Sequence, residues 1–114
     1  MSLPKIDTNH FTKFLVDLLN IASPTGFAEP AIAFVEKELS QYKQLELSRT
    51  RKGALVAKWK VDNDLPPVAL TAHADTLGAV VKEIKPNGRL KLIRVGGIHW
   101  PSEETEGVWV FTSS

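Results

Sequence analysis

The sequence predicts an α/β fold in which two N-terminal helices pack on a mixed sheet, and three observations carry the prediction. Up to about residue 42 the apolar side chains recur three and four apart, the spacing of helices with one buried stripe. From residue 45 the period falls to two, the alternation of strands. Within that second region Val68-Ala69-Leu70-Thr71-Ala72 is a continuous, mostly apolar run, the pattern of a strand covered on both faces.

The elements follow in order. Asp7, Thr8 and Asn9 offer capping oxygens just ahead of Phe11, Phe14, Leu15, Leu18 and Ala22, which predicts a first helix over about residues 9–21. Ser23-Pro24-Thr25-Gly26 ends it, because proline restricts the residue before it and glycine admits a positive φ. Pro30 suits the first turn of a second helix, where its missing N–H has no intrahelical partner to lose. Ile32, Val35, Leu39 and Tyr42 would form that helix's buried stripe. Strands are expected at Leu45–Arg49, at residues 54–60 with Leu55, Ala57 and Trp59 on one face, and at residues 68–72. Residues 79–84 and Leu90–Val95 flank Pro86-Asn87-Gly88-Arg89, a hairpin signal. From Lys82 to Lys91 charged and apolar residues alternate, like a sheet with one wet face. Gly96-Gly97 interrupts the pattern, and residues 108–112 read as a last strand.

This order is unbalanced. A strand apolar on both faces needs a layer on each side. Two helices can cover one face, and nothing after residue 45 reads as a helix. The expectation is a domain whose remaining covering elements lie outside these 114 residues.

Composition narrows the function classes. Apolar content of 43% and charged content of 24% are those of an ordinary soluble globular protein. The net charge of +1, with no basic or acidic block, gives no reason to expect nucleic acid or an anionic membrane as a partner. There is no cysteine, so thiolate metal sites and disulfides are excluded. No apolar signal region opens the chain and no run approaches a membrane span. A cytoplasmic location is the expectation.

The sharpest local feature is Thr71-Ala72-His73-Ala74-Asp75-Thr76-Leu77-Gly78, which puts a histidine and an aspartate at the carboxyl end of the expected buried strand. In open α/β sheets ligands bind beyond those strand ends. An imidazole can hold a divalent metal through one nitrogen while a carboxylate accepts the other N–H and fixes the tautomer. Asp75 could play that part or touch the metal itself. The spacing alone does not separate these readings from a solvated strand-end histidine.

Longer strings add to the pattern. Ser23-Pro24-Thr25-Gly26 precedes a helix, Arg51-Lys52-Gly53-Ala54-Leu55 follows, and the run from Ala69 to Gly78 continues into Val81-Lys82-Glu83-Ile84-Lys85-Pro86-Asn87-Gly88-Arg89-Leu90. Gly96-Gly97 and Trp100 come next. Together, from about residue 11 onward, these resemble the M42 (glutamyl aminopeptidase-like) metallopeptidases. The resemblance implies an α/β catalytic domain interrupted by a smaller β-rich domain that joins subunits. It implies two divalent metal ions, zinc or cobalt, and removal of N-terminal residues from peptide substrates. The family's His-x-Asp motif falls on His73, as a metal ligand, and on Asp75, as the catalytic-site carboxylate supporting it. The other ligands, and the Glu-Glu pair that holds the general base, lie far downstream in the family. Residues 1–78 would then be the N-terminal part of the catalytic domain. Residues 79–114 would cross into the first strands of the inserted domain. Such a fragment would hold one metal or none, would be inactive alone, and would belong to a homo-oligomer.

The remaining polar candidates have simpler readings. Glu103-Glu104 sits in Ser102-Glu103-Glu104-Thr105-Glu106-Gly107, read as a solvated acidic loop rather than a catalytic pair. His10 beside the first helix cap reads as exposed or capping. His99, with no acidic neighbour at ligand spacing, reads as surface packing. Trp59 and Trp109 lie in alternating segments and read as core or half-buried. Two other functions stand beside this one. One is a different His-x-Asp dinuclear hydrolase, a carboxypeptidase or deacylase, against which the Pro-Asn-Gly hairpin and the Gly-Gly-x-x-Trp stretch speak. The other is a non-catalytic β-rich interaction module. A glycosidase is disfavoured, since no carboxylate pair sits on defined strand ends.

Overall fold

The computed structural model describes residues 5–60 and 66–112. The chain divides into two compact units, Met1–Thr76 and Leu77–Ser114. The first holds helix α1 (Thr8–Leu19), helix α2 (Glu29–Leu39) and strands β1 (Leu45–Arg49) and β2 (Leu55–Trp59). The second holds strands β3 (Gly78–Ile84) and β4 (Leu90–Val95) and a one-turn helix α3 (Trp100–Glu103).

In the first unit local chemistry sets each boundary. The Asp7 carboxylate accepts from the backbone N–H of Asn9 (3.1 Å) and His10 (3.0 Å), satisfying two of the donors that open α1. Pro30 lies in the first turn of α2, as its lost N–H requires. Phe14 of α1 stacks on Phe34 of α2 with ring centroids 5.3 Å apart. The two strands pair antiparallel, Leu45 opposite Trp59 and Arg49 opposite Leu55, around a turn in which Gly53 takes φ +85°. Arg49 ties β1 to α2. Its guanidinium donates to Glu36 Oε2 (Nη2 at 2.6 Å, Nε at 3.0 Å) and reaches Glu29 Oε2 (3.1 Å). Ala31 is fully buried, while Ile32, Val35 and Leu39 are half-buried.

In the second unit β3 and β4 form a hairpin with Val80 opposite Ile93 and Ile84 opposite Leu90, and a register shift between Val81 and Glu83. Only Gly88 of the turn adopts a positive φ (+79°). Asn87 acts differently from the expectation: its side chain accepts from the Arg89 N–H at 3.1 Å. Ile98 is buried. Ser102 bonds back to the His99 carbonyl through its N–H (2.9 Å) and its hydroxyl (2.7 Å), closing α3.

Several expectations are corrected. The sheets are two antiparallel pairs rather than one mixed sheet, and α2 packs on β1 and β2. Residues 68–72 form no strand, and Val68 and Leu70 are 92% and 97% exposed. A strand exists only through a hydrogen-bonded neighbour, and none runs beside this segment among the described residues. Residues 108–112 form no strand either, and Trp109 is exposed, as is Trp59 on β2. Both faces of the β3–β4 hairpin are open, not one. Ser102 and Glu103, expected at the start of a loop running to Gly107, instead lie in α3, where Pro101 suits the first turn. No helix among the described residues is long and apolar enough to cross a membrane.

Candidate metal centre

The site is built where α1 gives way to the Ser23-Pro24-Thr25 segment. That segment meets residues 74–76 through a single parallel bridge between Pro24 and Thr76. Proline lacks an N–H, but here its neighbours do the bonding. Thr76 N–H donates to the Ser23 carbonyl (2.8 Å), and Thr25 N–H donates to the Thr76 carbonyl (3.3 Å). Ser23, only 2% exposed, adds its hydroxyl to the Ala74 carbonyl at 2.8 Å. A buried hydroxyl without a partner would be costly, so this bond specifies the position of the loop.

On that support sit His73 and Asp75. Asp75 Oδ2 accepts from the Thr25 hydroxyl at 2.6 Å. His73 Nδ1 lies 3.0 Å from Asp75 Oδ1 and 3.0 Å from the Asp75 carbonyl oxygen. The Thr25 hydroxyl first, and then the His73 ring and the loop backbone, hold the Asp75 carboxyl below the usual carboxylate range, against the opposing effect of partial desolvation. Asp75 is therefore an anion that can only accept. Both oxygens facing Nδ1 are acceptors, which assigns the ring proton to Nδ1. In the neutral ring Nε2 is then the lone-pair nitrogen, on a side chain 85% exposed.

This donor set suits one coordination position of a divalent metal. An outward imidazole nitrogen backed by a carboxylate on its other N–H is the usual arrangement of a metal-binding histidine. It does not close a site: among the described residues no three His, Cys, Asp or Glu side chains come together at metal-binding distance. The other histidines are engaged differently. His10 Nε2 pairs with Glu38 Oε1 at 3.3 Å, linking α1 to α2, and the His99 carbonyl receives Ser102. Glu103 ends α3 and Glu104 follows it, both exposed. A shallow groove lined by His10, Phe14, Phe34 and Glu38 shares no residue with the His73–Asp75 loop.

Sequence reasoning missed Ser23 and Thr25 as parts of this site. Their segment reads as a helix breaker, and a bond across 50 positions leaves no local signature.

Comparison with known proteins bears on the family. The family model for M42 glutamyl aminopeptidase matches residues 53–114. The candidate aminopeptidase YhfE of Bacillus subtilis (strain 168) is 40% identical over 102 residues, which are 90% of this chain and 29% of YhfE. The chain thus spans less than a third of the length of that curated relative. On the family match and this identity, the chain belongs to the M42 glutamyl aminopeptidase family.

Proposed function

We propose that this chain contributes the first metal-ligating histidine, His73, and its orienting carboxylate, Asp75, to a dinuclear metal-dependent aminopeptidase. The observation that carries this reading is the 3.0 Å contact of His73 Nδ1 with Asp75 Oδ1; with the proton assigned to Nδ1, Nε2 is the lone-pair nitrogen of an exposed ring. Family membership and the likeness to YhfE supply the reaction class: hydrolysis of the N-terminal residue from a peptide. The family also favours an aminopeptidase over a carboxypeptidase or deacylase.

When bound, a pair of divalent ions, zinc or cobalt, polarises the scissile carbonyl and acidifies the attacking water. The chain's own residues do less. His73 donates one nitrogen to a metal. Asp75 holds the imidazole in the Nδ1–H form and, being anionic, raises its basicity. Metal sites of this kind use three or more protein ligands and a glutamate to carry the water's proton, and among the described residues no group of three ligating side chains comes together. The other ligands and that base are proposed to come from outside this chain, in the larger enzyme of which residues 1–78 form an N-terminal part of the catalytic domain. Residues 79–114 are proposed to begin the inserted β-rich domain through which subunits join. A cytoplasmic setting suits this reading.

The test is release of N-terminal residues from peptide amides by the purified 114-residue chain with added zinc or cobalt. The expected result is weak metal binding and no turnover. Turnover abolished by a chelator would show that the chain holds a complete centre and overturn this assignment of parts.

A further inference from the structure

Resting on the reading of His73 as a metal ligand, we propose that Thr25 is a positioning residue for that histidine, acting through Asp75. Three observations lead there. The Thr25 hydroxyl makes the shortest bond in the loop, 2.6 Å to Asp75 Oδ2, while the other carboxylate oxygen, Oδ1, receives His73. The carboxylate is thus held at both ends, and its rotation, which would release the imidazole, is blocked from the Thr25 side. Second, Thr25 is itself placed by backbone, since its N–H donates to the Thr76 carbonyl and Thr76 N–H donates to Ser23. Third, buried Ser23 clamps the Ala74 carbonyl, fixing the residue between His73 and Asp75. The segment at the end of α1 therefore sets the direction in which Nε2 is presented. A helix-breaking sequence has acquired a second task.

The chemistry required of Thr25 is one hydroxyl at one position. Valine has the same shape without the donor, and serine keeps the donor without the methyl. Without the hydroxyl, Asp75 is free to turn and His73 loses one of the two acceptors that hold its proton on Nδ1. The ring then moves toward the Nε2–H form, which places a proton where the metal should bind.

The experiment reads the tautomer of His73 by long-range ¹H–¹⁵N correlation on the metal-free chain, in wild type, Thr25→Val and Thr25→Ser. Zinc affinity is measured on the same samples, with His73→Ala as a reference. The expected result is an Nδ1–H ring in wild type and an increased Nε2–H fraction in Thr25→Val. Zinc affinity should fall about tenfold in that variant, the lower end of the loss seen when a partner behind a ligand is removed. Thr25→Ser should restore both. A folded Thr25→Val with unchanged tautomer and affinity, or a Thr25→Ser that rescues neither, overturns the proposal. So does a wild-type His73 carrying its proton on Nε2, which needs no variant to fold. Zinc binding indifferent to His73→Ala would instead sink the metal reading, and the tautomer shift alone would then decide the role of Thr25.

Discussion

At the scale of single residues, the proposed centre depends on how three side chains share two protons. Thr25 gives one to Asp75, and His73 gives one to the opposite oxygen of the same carboxylate. The His73–Asp75 half was legible in the sequence, because two residues apart in one loop are neighbours whatever the fold. The Thr25 half was not, since the two segments, some 50 positions apart, meet through tertiary contacts: the bridge between Pro24 and Thr76 and the Ser23 hydroxyl on the Ala74 carbonyl. The account predicts that Asp75→Ala weakens zinc binding at His73 by about 10- to 100-fold, the cost of removing the carboxylate behind a ligating imidazole. Competition titration against a zinc-sensitive dye checks this. Equal affinities for the variant and wild type would mean that the pair is only a surface ion pair, the kind that contributes little.

Among the elements, those with local punctuation formed as expected. The Asp7 cap, Pro30, and Gly88 in the expected hairpin turn each specify a boundary by a short-range bond or a backbone angle. Residues 68–72 and 108–112 carry strand-like composition but formed no strand, because composition supplies burial and not the neighbouring backbone that a strand requires. The connection between α2 and β1 is electrostatic as well as apolar, and it has a pH signature. The Arg49 guanidinium, by hydrogen bonding first and by charge second, holds the Glu36 carboxyl below its ordinary range. A carboxyl whose folded value is depressed stabilises the fold above its unfolded value. That contribution is lost as pH falls from the ordinary glutamate range through the lowered folded value. Glu36→Gln should therefore lower stability at neutral pH and flatten the acid limb of the unfolding curve. Urea titrations across the acid range check this, and identical pH profiles for both proteins would remove the pair from the account.

At the scale of the whole molecule, many large apolar side chains are exposed among the described residues. In the first unit Val68 and Leu70 are almost fully open, and in the second Val80, Val81, Leu92 and Ile93 on the hairpin are exposed. Among the described residues both sheets are two-stranded, so each strand has an edge unpaired within its sheet, and open edges invite pairing with another chain. Burying apolar area contributes about 25 cal/mol per Å², so a few hundred Å² of contact favours association. Dimers or larger assemblies involving the strands after Gly78 are the expected outcome, and light scattering that shows a stable monomer at high concentration would contradict it. The assignment of parts to a larger aminopeptidase rests finally on His73. Its most direct test is zinc titration of the chain, followed through the ring nitrogens of all three histidines by ¹⁵N resonance. The account predicts that Nε2 of His73 shifts first, with Nδ1 keeping its proton. Zinc engaging His10 or His99 while His73 stays unperturbed would contradict it.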